Sequence, residues 1–234
     1  MGILIERRDP LTQSQGVEPG YDGTTLRWPS LPLQRRPLTR SELTGPAGVS
    51  RRLPPLRPDL AGHGAQRAIG QLIHVRTRVV DEDGAPVPGA LVEIWHCNAA
   101  GKYIHPNDSH DAPADPNFYG AARVVADQDG VVELRTIKPG AYPVPDLIRQ
   151  GARWWRPPHI HFSVWGRVWL SRLVTQMFFP GEPLNELDPI LNAVREPEAR
   201  SRCIACLSNK GPENALVYEY QIVVRGRSGT PALP

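Results

Sequence analysis

Proline and glycine fill 26 and 21 of the 234 positions, too many for long helices. Each proline removes a backbone donor and fixes φ, and glycine favours turns. Short strands between turns remain, and they must close on a shared core to be stable. An apolar share of 40% against 22% charged residues supplies that core. The length allows one large domain or two small ones.

The texture divides the chain. Residues 1–70 are rich in Pro and Arg with little periodicity (WPSLPLQRRPLTR, SRRLPPLRPDL) and read as an arm, not a second core. A disordered tail is the bland alternative; Trp28 and the leucines favour an arm docked on this chain or on a partner. From Gln71, Ile73, Val75, Thr77 and Val79 alternate with His74, Arg76 and Arg78, as in a half-buried strand. Further strands are expected over Gly89–Cys97, Ala121–Ala126, Val131–Ile137, His159–Trp165, Leu173–Phe179 and Ala215–Arg225. Asp188–Cys206 is the helical stretch, broken near Pro197. The expected fold is all-β: an antiparallel β-sandwich over residues 71–226 with long loops, one or two short helices, and a tail over 227–234.

Composition removes several functions. Net charge is +3 with no basic run, so nucleic acid is not an expected partner. No apolar run approaches the roughly 20 residues that span a bilayer. The start MGILIERRDP has no apolar run after its charges, so no secretory leader is expected and a cytoplasmic location is. Three cysteines make no disulfide framework, and the single CxxC, Cys203 with Cys206, lacks a second pair for zinc.

The segment WRPPHIHF (Trp155–Phe162) carries the chemistry. Alternation puts His159 and His161 on one face, with Ile160, Phe162 and Val164 on the other. Two imidazoles on one face can chelate a metal, or can sit on a solvated surface. No acid follows the pair to complete a carboxylate site, but the loops offer Tyr103 and Tyr142. A phenol with a pKa of about 10 becomes an anionic ligand only beside a hard, highly charged cation, of which ferric iron is the biological candidate. A packed or hydrogen-bonded loop tyrosine is the competing reading.

The runs LVEIWHCNAAGKYIH, DPNF, TIKPGAYP and WRPPHIHF together resemble the intradiol ring-cleaving dioxygenases, and within them the group of protocatechuate 3,4-dioxygenase β chains. The resemblance spans roughly Tyr21 to Gly226. It implies one non-haem Fe(III) per chain on Tyr103, Tyr142, His159 and His161, with Tyr142 leaving as substrate binds. It implies Arg156 as the active-site arginine, Gln176 near the metal, and Tyr21 as an arm residue lining the substrate pocket. The implied reaction, part of aromatic catabolism, is cleavage of a catechol by O₂ to a cis,cis-muconate. The implied partner is a homologous α chain, with a homo-oligomer as fallback.

Two departures bear on the substrate. Val144 stands where the family commonly has Trp, and the connection onward to Arg156 is longer than usual. With Arg149 and Arg153 in that connection, a 4-substituted anionic catechol is expected, protocatechuate or a sulfonated relative. Trp154 and Trp155 could wall the pocket or pack in a core. A rival of another class is a non-catalytic, transthyretin-like binding module, which need hold no iron.

Overall fold

The computed structural model describes residues 58–62, 64–144, 154–166, 172–208, 211–225 and 228–233. Tyr21, Trp28, His63, Arg149 and Arg153 lie outside the described residues.

Ten strands are described: β1 (Leu72–Val80), β2 (Leu91–Trp95), β3 (Ala121–Val125), β4 (Val131–Ile137), β5 (Tyr142–Pro143), β6 (Trp155–Arg156), β7 (His159–Trp165), β8 (Arg172–Phe178), β9 (Cys206–Ser208) and β10 (Leu216–Val223). They form two four-stranded sheets, β4-β1-β10-β9 and β3-β2-β7-β8, and a ribbon of β5 with β6. The ladders are antiparallel except that β1 runs parallel to β10. A parallel pair needs a long crossover, and here everything from β2 to β9 lies between its two strands.

The alternation read from β1 holds: Ile73, Val75, Thr77 and Val79 are all buried. Facing them across the sandwich are Val92 and Ile94 of β2, Ile160, Phe162 and Val164 of β7, and Leu173 and Met177 of β8. Leu60, Ala61 and Ala68 join this core from before β1. The outer face of the β3-β2-β7-β8 sheet is also covered. A second apolar cluster gathers Phe178, Val144 and Trp154 with residues of helices α1 (Pro189–Asn192) and α2 (Pro197–Ser201). The helical stretch thus breaks before Pro197, as expected. Trp154 belongs to that cluster, whereas Trp155 is 45% exposed, edge-on to His110.

His96, just after β2, ties the two sheets together. Its Nδ1 donates to the Cys97 carbonyl at 2.7 Å, so Nε2 is left to accept from Thr136 Oγ1 of β4 at 2.8 Å. Burial holds its pKa down at about 4, against 6.5 in the unfolded chain. Between those values the unfolded chain binds the extra proton, so stability falls with falling pH. The contribution is complete above pH 6.5 and is lost as the pH drops to about 4; at most it is about 3 kcal/mol. His96→Gln should therefore flatten the pH dependence of the unfolding free energy over that interval. Parallel curves for the two proteins would contradict this.

Candidate active site

The site is built on the outer face of the β3-β2-β7-β8 sheet. β7 directs Ile160 and Phe162 into the main core, so His159 and His161 face the other way. Neither histidine is on a solvated surface: they are 1% and 8% exposed. Neighbouring strands lock both rings. Trp95 lies opposite His161 and stacks on it, with ring centres 4.9 Å apart and planes within 5°. Phe178 lies opposite His159, with ring centres 5.7 Å apart. His159 Nδ1 donates to the Pro157 carbonyl at 2.7 Å, which fixes the tautomer and points the Nε2 lone pair into the site.

The ribbon supplies two more groups. Tyr142 and Arg156 are directly paired, so their side chains share a face. Tyr103 comes from the loop after β2. Asn98 Oδ1 accepts from Ala100 N and Lys102 N, and Asp108 Oδ2 accepts from Tyr103 N at 2.6 Å. Gly101 makes the approach to Tyr142 possible. Its φ is +81°, and a Cβ there would fall 2.5 Å from the Ala141 carbonyl oxygen and 2.9 Å from Tyr142 Cβ.

Four donor atoms consequently form a chain. Tyr142 Oη is 3.4 Å from His159 Nε2, which is 3.2 Å from His161 Nε2, which is 3.2 Å from Tyr103 Oη. First-row metal–nitrogen bonds of about 2.1 Å set neighbouring donors about 3.0–3.4 Å apart, so the spacing fits one small cation. Among the described residues no group of three or more His, Cys, Asp or Glu could hold a metal. Two phenols beside two imidazoles make a donor set that could hold a hard trivalent cation. Burial, then the charge of Arg156 and the neighbouring His161, holds His159 well below the usual imidazole range, leaving it neutral and able to donate its lone pair. Burial, followed by the nearby Tyr142, pushes the Tyr103 phenol well above its usual range. Ionising it thus calls for strong positive charge. Cys97 is turned to the Gly140 carbonyl, to which its thiol donates at 3.4 Å, and burial pushes that thiol up to about 12.

Arg156 is fully buried beside this set. Its Nη1 is 3.2 Å from His159 Nε2, and its Nη2 donates to Gln176 Oε1 at 2.8 Å. Gln176 in turn lies opposite His161 in the β7–β8 ladder. A cleft of about 580 Å³ opens over the phenols, lined by Trp95, Tyr103, Ile104, His105, Tyr142 and Val144 among others. Its size is ordinary for a small-molecule site. The structure thus brings together Tyr103, Tyr142, His159, His161, Arg156 and Gln176, with Val144 at the edge; Tyr21 is outside the described residues. Sequence reasoning missed Trp95, Asp108 and Asp188. Only Asp188 left a local sign, since Asp before Pro is a helix-start signature.

Comparison with known proteins places these residues in a wider setting. A family model described as Dioxygenase matches residues 43–226. The β chain of protocatechuate 3,4-dioxygenase from Burkholderia cepacia is 42% identical over 232 residues, 97% of this chain and 97% of that protein. A chlorocatechol 1,2-dioxygenase from Pseudomonas sp. (strain P51) is 35% identical over 114 residues, and the match spans 46% of this chain and only 43% of that relative. The crystal structure of 3-chlorocatechol 1,2-dioxygenase from Rhodococcus opacus 1CP superposes with a TM-score of 0.55 at 23% identity. It covers 70% of this chain and 63% of that one, a likeness of fold.

Proposed function

This chain belongs to the intradiol dioxygenase family, and from that premise we propose that it cleaves a 4-substituted anionic catechol between its two hydroxyl-bearing carbons. Both atoms of O₂ enter the product, a cis,cis-muconate. Tyr103, Tyr142, His159 and His161 would hold one non-haem Fe(III). The observation that carries this reading is the buried chain of two phenols and two imidazoles, each link 3.2–3.4 Å. A non-catalytic binding module has no use for such a set.

When bound, ferric iron would draw electron density from the chelated catecholate and so prepare its ring for O₂. The residues of the chain do the rest. Tyr142, as the phenolate that would serve as a ligand, would take one phenolic proton from the substrate at Oη and become a neutral phenol. The Trp95 stack and the Pro157 carbonyl hold the imidazoles in one orientation. Arg156 keeps a guanidinium edge toward the donor set and stabilises negative charge that develops on the substrate, a preorganised donor in a water-poor site.

Support for the substrate class comes from the departures near the pocket. Val144, smaller than the Trp common in the family, lines the cleft, which favours a substituted ring, and the longer connection after it carries Arg149 and Arg153, which favour an anionic substituent. The relative's name as a β chain supports a homologous α chain as partner. So do the exposed apolar side chains around the cleft, Ile104 at 63% and Tyr119 at 47%. No helix among the described residues is long and apolar enough to cross a membrane.

The purified protein should carry about one iron per chain and a reddish phenolate-to-iron absorption. Tyr103→Phe and Tyr142→Phe should each shift or weaken that band. Retention of the parent spectrum and iron content by both variants would refute the ligand set. Protocatechuate and 4-sulfocatechol should each exceed plain catechol in kcat/KM; the reverse order would remove the anionic-substituent proposal. Light scattering of protein co-expressed with the α chain should find a large assembly containing both chains, against which a fully active monomer would count.

A further inference from the structure

A second buried charge stands behind Arg156. Asp188 is 0% exposed and belongs to neither the proposed ligand set nor the cleft. Its Oδ2 accepts from Arg156 Nε at 3.0 Å and from Nη2 at 2.9 Å. Its Oδ1 accepts from Ile190 N at 2.7 Å and Leu191 N at 3.3 Å, capping α1. Its own carbonyl accepts from Asn192 Nδ2 at 2.8 Å. Ile190 and Leu191 are buried in the second apolar cluster, so the carboxylate is anchored to packed structure on one side and grips the guanidinium on the other.

We propose that Asp188 is the positioning residue for Arg156: it holds the Nε/Nη2 edge of the guanidinium so that Nη1 stays directed at the donor set. A guanidinium has five N–H donors in a rigid fork. With Asp188 and Gln176 occupying one side, the other is the side that faces His159 Nε2 at 3.2 Å. The carboxylate also balances a cation that would otherwise be buried alone, since both side chains are 0% exposed. Loss of the carboxylate leaves the arginine present but free to turn away.

The kinetic part of this inference rests on the dioxygenase reading; the pairing part does not. The test uses the full chain loaded with iron as wild type, Asp188→Asn, Arg156→Ala and the double variant. Asn caps a helix as well as Asp does, so the change removes the charge and keeps α1. Asp188→Asn should retain iron and the visible band while kcat per iron falls about 10²-fold, the scale of a misplaced catalytic group. In the Arg156→Ala background the same change should alter kcat by no more than about twofold, because its effect runs through the missing arginine. Melting of the iron-free proteins gives a readout independent of turnover. Arg156→Ala strands a buried carboxylate and should lower Tm, and adding Asp188→Asn should raise it again.

Equal kinetic losses in both backgrounds would overturn the proposal. So would full turnover in Asp188→Asn, or no recovery of Tm in the double variant. If the wild type has neither visible band nor turnover, the dioxygenase reading fails while the melting comparison still decides the pairing. If Asp188→Asn does not fold, Asp188→Ser, also a good cap, replaces it. Failure of both to fold would make Asp188 a folding requirement and end its positioning role.

Discussion

A slip of β7 by one residue would carry His159 and His161 into the core of the sandwich and put Ile160, Phe162 and Val164 on the face that now holds the site. Those three apolar side chains are at most 1% exposed. Both faces of β7 are buried, so a slip would not expose these side chains; it would trade their fit in the main core for the burial of two imidazoles among apolar side chains, and that sets the register. The imidazoles are thus aimed by the packing of their neighbours. The adjacent strands follow from the same register, since it sets Trp95 and Gln176 on either side of His161 and Phe178 beside His159.

The outer face of that sheet holds a buried group of polar and charged side chains, among them His159, His161, Arg156 and Gln176. Such groups are tolerated only when their hydrogen bonds are met, and a buried cation only when it is paired. Asp188 and Gln176 meet both needs for Arg156, and the second apolar cluster encloses them. It excludes water from the Arg156–Asp188 pair, and through α1 it holds the carboxylate in place. The ribbon of β5 with β6 then joins that pair to the phenol of Tyr142 by direct backbone pairing. Core, charge pair and donor set are therefore linked by short contacts.

Much of this was legible in the residues. The strands expected over Val131–Ile137 and His159–Trp165 match β4 and β7 to the residue; β4 alternates in burial, whereas β7 is buried on both faces and alternates in chemistry, with imidazoles on one side and apolar side chains on the other. The helical break before Pro197 was readable from the ring's lost donor. Short-period signals fail where elements are too short to have a period, as with β5 and β6 at two residues each and β9 at three. The parallel pairing of β1 with β10 leaves no local mark, because it joins strands far apart in sequence. The same holds for Asp188, which is 32 positions from the arginine it grips. Trp154 and Trp155 could not be told apart by type alone; their place on the ribbon decides that one packs inward and the other faces solvent.

Under the proposed function, Tyr103, Tyr142, His159 and His161 would surround one ferric ion. Diffraction from crystals of the purified protein, measured on both sides of the iron absorption edge, tests it most directly. One anomalous peak is expected, within bonding distance of the two phenol oxygens and of both Nε2 atoms. Iron found elsewhere, or protein crystals that cleave a catechol with no anomalous peak at these four atoms, would contradict it.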